Sequence, residues 1–431
     1  MPLDDPPGRT ASPDVDLIRT EVETPSRAAG ADGAAGDRRK EILAALRRWA
    51  REAVIRPAPI PKALFVNGLK AAIAPFVVSR LLVWIATGFG ARYLVAPPGL
   101  YSNTYPPPAL APFFHWDVDA YAYIAHHGYY LGAGGVDAKV ARAAWFPFYP
   151  LLIRLAGGSD WAMIIIPNVC FLAALALIYV VAKVRMDADR ARLTLWLVSL
   201  GPAAMFFSYP YTESLFLLLC VGSFVLMESG HWILAGLAGL AAAMTRFPGV
   251  MIAAALGAEG ALGNRRRWAV LAAGVLPITG LLIVSLIDWA QMGDPLGFVH
   301  ARALWIGPDR NPLYLVGSFP KAVIEGDPFN TEAIGVPVLL IFAVGAAWVT
   351  RRMPIAYGVF AITQVLLAFD QGLYLHIFSL VPRVLSVIFP CYFAFATLLT
   401  PRRNLQLAWL LVSASVLVLN SALYGGWRFI G

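Results

Sequence analysis

Residues 161–184 of the sequence read WAMIIIPNVCFLAALALIYVVAKV and contain a single charged residue, Lys183. A helix needs about 20 apolar residues to cross the hydrocarbon core of a bilayer, so this stretch predicts a transmembrane helix. Of the 431 residues in the whole chain, 59% are hydrophobic and only 14% are charged, and the mean hydropathy is +0.65. Soluble domains contain about 25% charged residues, so this composition favours one polytopic membrane domain.

Apolar runs of the same kind recur along the chain and predict an all-α fold with about eleven transmembrane helices. The run at 232–262 contains Arg246 and Pro248 near its middle, and therefore predicts two short spans that meet at the outer surface. The nine other predicted spans are 71–95, 161–184, 191–208, 212–228, 268–290, 333–350, 354–370, 384–400 and 405–424.

The charges between these spans predict the orientation of the chain. With the N-terminus inside, the basic connections fall on the cytoplasmic side, as the positive-inside rule requires; they hold Lys183, Arg185, Arg190, Arg192, Arg265, Arg266, Arg267, Arg351, Arg352, Arg402 and Arg403. Most of the acids after residue 60, and most of the histidines, then lie in or beside outer loops. Any chemistry is therefore expected to face outward.

The chain before the first span divides into two parts. Residues 1–36 are rich in Asp, Pro, Gly and Ala and predict a disordered tail. Residues 37–60 predict a basic amphipathic helix that lies on an anionic membrane surface, although a solvated charged helix has the same pattern. The rest, 61–431, is interpreted as one transmembrane domain.

Net charge and cysteine content exclude two further classes of protein. The net charge of +8 is accounted for by membrane topology, so we expect no nucleic-acid partner. The three cysteines all lie inside apolar runs, which excludes a disulfide framework and a cysteine-based metal site; they are Cys170, Cys220 and Cys391.

The large first outer loop, 97–160, holds the most informative residues. Asp117 and Asp119 stand two residues apart beside a membrane and among aromatic side chains. Acids in such a place are costly unless they have a use, and a carboxylate there could accept a proton from an attacking sugar hydroxyl. A solvated acidic turn flanked by an interfacial aromatic belt is the alternative interpretation.

Around these acids the sequence reads Trp116-Asp117-x-Asp119-x-Tyr121-x-x-Ile124-Ala125-x-x-Gly128-Tyr129, and later Phe146-Pro147-x-Tyr149-Pro150. These strings resemble the PIG-V family of mannosyltransferases, which are membrane enzymes of the GT-C type. The later segments that agree are Pro202–Ser208, Tyr211–Phe216, Thr245-Arg246 and Arg383 with Pro390. One position departs from the family, because Val384 follows Arg383 where a tyrosine is expected.

The resemblance implies an inverting transfer of mannose from a polyprenyl-phosphate donor to a glycolipid, lipoglycan or protein acceptor at the outer membrane face. It implies that Asp117 is the general base and that Asp119 supports it. The candidates for binding the donor phosphate are Arg246, Arg302, Arg383 and His300. The candidates for binding acceptor or sugar are His115, Trp116, Tyr121, His127, Tyr149 and Glu213. A structural ion pair between Arg246 and Glu213 is the alternative for those two residues.

The sequence also bears on metal dependence and on the membrane in which the protein lies. The pair of acids is compatible with a divalent cation, but a donor with a single phosphate does not require one, so no metal ligand is assigned. The alanine-rich composition with arginine in excess of lysine indicates a bacterial plasma membrane, with membrane lipids as partners and an extracytoplasmic active site. The alternative function is a transporter or lipid-linked sugar flippase, for which we would expect an internal repeat and ionisable residues near the middle of spans.

Overall fold

The computed structural model describes residues 54–96, 106–129, 142–263, 267–303, 332–375 and 380–428, together with Glu41. Apart from Glu41, these residues belong to one unit of the chain, Ala50–Gly431. The predicted tail at 1–36 and most of the predicted amphipathic helix at 37–60 lie outside the described residues.

All regular elements within these ranges are helices, as the composition predicts. Three short 3-10 turns lie at Ala111–Phe113, Ala204–Phe207 and Phe247–Val250. The α-helices are α1 Lys62–Tyr93, α2 Val118–His127, α3 Phe148–Leu155, α4 Asp160–Arg185, α5 Ala188–Ser199, α6 Glu213–Glu228, α7 Trp232–Thr245, α8 Met251–Gly263, α9 Arg267–Met292, α10 Gly297–Ala303, α11 Glu332–Arg352, α12 Ile355–Leu375, α13 Val381–Leu385, α14 Phe389–Leu399 and α15 Arg403–Gly425.

Five helices in the described ranges are long and apolar enough to cross a membrane: α1, α4, α9, α11 and α15. The shorter apolar helices are α7, Phe247–Leu262, Ile355–Gln371 and α14. Large apolar side chains lie exposed on the long helices, among them Leu81 and Ile85 of α1 and Leu411 of α15. Such surfaces are stable only against lipid, so the protein is a membrane protein. The total of eleven spans stays a prediction.

The predicted break in the apolar run at 232–262 is confirmed. Helix α7 ends at Thr245, Arg246 is extended with φ −155° and ψ 145°, and a 3-10 turn leads into α8. Pro248 lies in that turn and has no N–H to continue a helix, while its carbonyl accepts a hydrogen bond of 2.8 Å from Nε2 of Gln364. Arg246 is therefore presented at the junction of two short helices.

The predicted span at 191–208 is wrong. Helix α5 ends at Ser199, and residues 200–212 form a buried irregular segment that contains only the short turn Ala204–Phe207. Gly201 and Pro202 end the helix, but the residues that follow are still apolar, so hydropathy does not reveal the break. The predicted span at 384–400 is similarly divided, between α13 and α14.

Helix packing brings several element ends together. Helix α6 packs between α4 and α7, and α1 packs against α4 and α15. Gly90 and Gly425 let α1 and α15 approach closely, because a Cβ at either position would collide with the backbone of Ala422 or Thr87 on the opposite helix. The start of α6, the end of α7, the start of α2 and the short helix α13 meet at one site.

Candidate active site

Glu213 is the first residue of α6 and its side chain is fully buried. Its Oε1 atom accepts hydrogen bonds from Nη1 of Arg246 and, at 2.5 Å, from Nε of Arg383. Its Oε2 atom is buried and has no hydrogen-bond partner among the described residues. The predicted ion pair between Glu213 and Arg246 is thus confirmed, and Arg383 extends it into a larger cluster.

Arg383 lies in α13 and joins two acids that are far apart in sequence. Its Nη2 atom donates to Oδ2 of Asp117 at 3.0 Å, while its Nε atom contacts Glu213. The guanidinium carbon lies 4.7 Å from the ring centre of Phe206 and 4.6 Å from that of Tyr211. Burial alone would lower the pKa of Arg383, but the two carboxylates outweigh it and hold that pKa well above its ordinary value. Arg383 is a fixed cation.

Asp117 precedes α2 and is the more accessible acid of the cluster, with 30% of its side chain exposed. Only Oδ2 is bound, to Arg383; Oδ1 makes no hydrogen bond to the described part of the protein. The preceding residue, Trp116, has φ 62°, a left-handed conformation that costs a non-glycine residue roughly 1–2 kcal/mol. The chain before Asp117 is therefore strained, and the carboxylate is held with one oxygen available.

Arg246 is partly open to solvent, with 19% of its side chain exposed. Its Nη1 atom donates to Glu213 and, at 3.2 Å, to Oγ1 of Thr212. Its Nη2 and Nε atoms donate no hydrogen bond to the residues that the structure describes. A guanidinium held from one side with donors left on the other is suited to bind an anion.

Tyr121 and Thr212 lie beside these ion pairs. Their hydroxyl oxygens are 3.4 Å apart, and either can be the donor. Burial, together with the carboxylates of Asp117 and Glu213, raises the pKa of Tyr121 well above its ordinary value. The phenol therefore stays protonated and can donate a hydrogen bond.

His115 lies behind the acids, on the buried side of the motif. Its Nδ1 atom donates to the carbonyl of Tyr424 at 3.0 Å, and its ring lies tilted against that of Trp427 with centres 3.8 Å apart. Tyr211 donates its hydroxyl to the carbonyl of His115 at 3.0 Å. Burial lowers the pKa of His115 to about 4, so the imidazole is neutral at physiological pH. His115 and Trp427 also line a cavity of about 340 Å³ beside the ends of α1 and α15.

The structure brings four of the predicted site residues into one bonded cluster: Asp117, Glu213, Arg246 and Arg383. Asp119 lies half-buried in the first turn of α2. Tyr149 touches Tyr121 edge-on at 5.2 Å, but its hydroxyl is bound to the carbonyl of Met163 at 2.6 Å, which indicates a structural role.

Other predicted residues lie outside this cluster. His127 is exposed at the end of α2, with Nδ1 3.3 Å from the carbonyl of Tyr123. His300 is exposed and pairs with Asp294 at 2.6 Å, and this hydrogen bond lowers the pKa of Asp294. Arg302 lies in α10, and its side chain falls outside the described residues.

Three residues of the site had no role assigned from the sequence. Phe206 and Tyr211 flank Arg383, and Thr212 binds Arg246. All three lie in the segment 200–212, which sequence analysis interpreted as the end of one span and the start of the next. The tyrosine and threonine directly before a buried acid were the available signal. Within the described ranges, no group of three or more His, Cys, Asp or Glu side chains is placed to hold a metal ion.

No protein-family model matches the chain, and no curated protein matches it. Three solved structures of the oligosaccharyltransferase of Archaeoglobus fulgidus resemble it at 12% sequence identity. The complex with Zn and sulfate aligns with a TM-score of 0.38 over 79% of this chain and 53% of that one. The complex with an inhibitory peptide and a dolichol-phosphate aligns with a TM-score of 0.37 over 82% and 56%. The chain spans about half the length of these structures, and at such scores the likeness decides neither family nor activity.

Proposed function

We propose that this membrane protein is a GT-C-type glycosyltransferase that moves mannose from a polyprenyl-phosphate donor to a glycolipid, lipoglycan or protein acceptor. The proposal is supported by two independent features. One is the resemblance of the loop sequence around Asp117 to the PIG-V family. The other is the cluster of two acids and two arginines at the meeting point of four helix ends.

The observation that carries the proposal is the binding state of Asp117. Arg383 holds one carboxylate oxygen, and the other is open on a partly exposed side chain. In an inverting transfer, the acceptor hydroxyl attacks the anomeric carbon of the sugar while the bond from that carbon to the phosphate oxygen breaks. The open oxygen of Asp117 takes the hydroxyl proton, and the phosphate leaves with the bonding electron pair.

Arg246 is the residue we assign to the donor phosphate. Its Nη2 and Nε groups donate no hydrogen bond to the described residues, and 19% of the side chain is exposed. Charge-assisted hydrogen bonds from such groups to a leaving phosphate would stabilise the developing negative charge. Arg383 is less suited to that role, because it is buried against the rings of Phe206 and Tyr211 and is already bound to two acids. We therefore assign Arg383 to the orientation of Asp117. The roles of His300 and Arg302 stay predictions.

We assign acceptor binding to side chains beside Asp117 and Glu213. Tyr121 keeps its proton and can donate a hydrogen bond to a sugar oxygen, and Trp116 supplies an aromatic face. A divalent cation is compatible with this chemistry but is not required, because Arg246 supplies positive charge for a donor with a single phosphate. We place the reaction at the outer face of a bacterial plasma membrane, in accordance with the predicted topology.

The test is transfer of radiolabelled mannose from polyprenyl-phosphate mannose in membranes that contain the wild-type protein or Asp117→Asn. Loss of the base should lower turnover by about 10²–10⁴-fold. Asp189→Asn is the matched control, since Asp189 is exposed and, among the described residues, its carboxylate pairs with Arg192 alone, at 3.6 Å. Near wild-type turnover by Asp117→Asn would overturn the assignment.

Two further arms of the same assay decide the open alternatives. Labelled lipid that crosses the bilayer while no acceptor becomes labelled would indicate a flippase. Activity that disappears with a chelator and returns with Mg²⁺ or Mn²⁺ would show that a cation takes part.

A further inference from the structure

The segment 200–212 is an irregular stretch of backbone inside a membrane protein, and it is buried almost throughout. Backbone N–H and C=O groups at membrane depth need protein partners, because lipid offers none. Neighbouring helices supply several of those partners through side chains. The identity of these side chains shows what holds the segment in place.

Ser208 is the centre of the first set of contacts. Trp84 of α1 donates its indole N–H to the Ser208 hydroxyl oxygen at 2.7 Å. The Nδ2 atom of Asn168 in α4 donates a hydrogen bond to the Ser208 carbonyl at 2.9 Å. Its Oδ1 atom accepts a hydrogen bond from the Ser208 hydroxyl at 3.1 Å. Three side chains from three elements thus form a small hydrogen-bonded unit, which we name the Ser208 clasp: Trp84, Asn168 and Ser208.

A second set of contacts binds the same segment on either side of the clasp. Arg80 of α1 donates through Nη2 to the carbonyl of Ala204 at 3.0 Å, and Asn420 of α15 donates to the carbonyl of Pro202 at 3.0 Å. The hydroxyls of Thr87 and Tyr209 are 2.7 Å apart. Arg80 is a buried charge within a membrane-spanning helix, which is costly and needs a reason. The hydrogen bond of Arg80 to the carbonyl of Ala204 fixes the turn there, and this accounts for a buried charge in α1.

The fixed segment supplies much of the candidate site. Phe206 and Tyr211 flank Arg383, Thr212 binds Arg246, and Glu213 follows directly. A shift of the segment would move the partners of both arginines at once. Because Arg383 also holds Asp117, the shift would reach the proposed base without any contact to it.

We propose that Trp84, Asn168 and Ser208 are positioning residues, which fix the segment 200–212 and thereby set the place of Glu213, Arg383 and Asp117. The inference rests on the proposed transferase function for its catalytic consequence. Its structural part, the restraint of the segment, can be measured without any substrate.

Trp84→Phe is the most selective variant. Trp84 is 44% exposed, and its ring lies 5.5 Å from that of Phe113. Phenylalanine keeps a smaller aromatic ring there and removes the indole donor to Ser208. Trp289→Phe in α9 is the matched control, because Trp289 is 60% exposed and its indole makes no hydrogen bond to the described residues. Ser208→Ala tests the same contact from its other side.

The experiment combines hydrogen–deuterium exchange in nanodiscs with steady-state kinetics. In Trp84→Phe and Ser208→Ala, peptides within 203–212 should exchange several-fold faster, and peptides from the end of α6 should be unchanged. An ångström of misplacement costs up to about 10²-fold in rate, so we expect kcat to fall by at least about tenfold while KM for the donor stays within about twofold. Trp289→Phe should behave as wild type.

Three results would contradict the expectation in different ways. Unchanged exchange in both variants would show that the clasp does not hold the segment. Faster exchange with unchanged kcat would show that the segment does not position the reacting groups. A wild-type protein without any transfer activity would overturn the proposed function, and exchange would then still decide whether the clasp restrains the segment.

Discussion

The two ends of helix α6 each carry a buried glutamate paired with arginine, and they differ in how completely that glutamate is bound. At the end of the helix, Glu228 accepts hydrogen bonds from Nε and Nη2 of Arg185 and from the hydroxyl of Tyr357, so that both its oxygens are satisfied. At the start, about 22 Å away, Glu213 receives two arginines on one oxygen and leaves the other without a partner in the described residues.

The difference indicates which pair holds the fold and which serves chemistry. A carboxylate with all its lone pairs used has nothing left for a ligand, and a saturated pair such as Glu228 with Arg185 joins helices. Among the described residues, three groups of the cluster at Glu213 have no partner: Oε2 of Glu213, Nη2 and Nε of Arg246, and Oδ1 of Asp117. The first is buried and the other two belong to partly exposed side chains. An unsatisfied buried oxygen in a native structure needs a reason, and substrate binding is the reason we propose.

The largest expected effect is a separation of activity from stability when each glutamate is made neutral. Glu213→Gln and Glu228→Gln are nearly isosteric, and each removes the charge of a buried carboxylate. Glu228→Gln leaves the partly exposed Arg185 without its charge partner, whereas Glu213→Gln leaves the partly exposed Arg246 without one while Arg383 keeps Asp117. The loss of a buried pair costs up to about 3–5 kcal/mol. Melting temperatures should therefore fall in both variants. Turnover per folded molecule should fall by about 100-fold or more in Glu213→Gln, equivalent to about 3 kcal/mol, because Arg383 and Arg246 lose their common anchor.

Glu228→Gln is the internal control for that experiment. Its folded fraction should keep turnover within about threefold of wild type, since the described partners of Glu228, Arg185 and Tyr357, are not members of the candidate site. Equal losses of turnover in the two variants would remove the functional difference between the two ends of the helix.

The break in an apolar run was predictable where a charge and a proline interrupt it together. Arg246 and Pro248 revealed the break between α7 and α8. The break at 200–212 escaped because its residues are as apolar as a span, and its backbone is satisfied by Asn168 and Arg80 from other helices. Hydropathy measures transfer from water to lipid and does not report which backbone groups are bonded within a helix.

The residues of the candidate site could be predicted from the sequence, but the contacts between them could not. Asp117 was chosen from the sequence as an acid of the first outer loop, and Glu213, Arg246 and Arg383 as charged residues near the outer ends of spans. The contact between Arg383 and Asp117 joins residues 266 positions apart, and it depends on the packing of α13 against the first loop. No local sequence pattern specifies such a contact. The sequence therefore predicted that Arg383 binds phosphate, and the contact leads us to propose that it orients Asp117.

The pH dependence of stability distinguishes the two ends of α6 by a second property. His115 lies on the side of the start of α6, and burial lowers its pKa to about 4, below an ordinary value of 6.5. The folded state binds fewer protons than the unfolded state in that interval, so stability is present above pH 6.5 and is lost as the pH falls toward 4, by about 3 kcal/mol in total. Melting curves in detergent between pH 7.5 and 4.5 measure this loss.

The control for the titration is a second histidine at the opposite end of α6. His115→Asn should flatten the acid slope of the melting temperature, because the residue that must take up a proton on unfolding is gone. His231→Asn is the matched substitution of an exposed histidine, which precedes α7. A slope that persists in His115→Asn would assign the acid sensitivity to other groups.

The smallest expected effect comes from removing one hydroxyl at each end. Tyr357→Phe removes a hydrogen bond of 2.5 Å to Glu228, and Tyr211→Phe removes one of 3.0 Å to the carbonyl of His115. Each loss should cost about 1–2 kcal/mol of stability, because both hydroxyls are buried. Only Tyr211→Phe should also slow transfer, by about three- to tenfold, since its hydroxyl binds the chain two residues before Asp117. Equal kcat in both variants, at similar melting temperatures, would show that the backbone before Asp117 is held without Tyr211, and that the aromatic ring against Arg383 is the whole contribution of that residue.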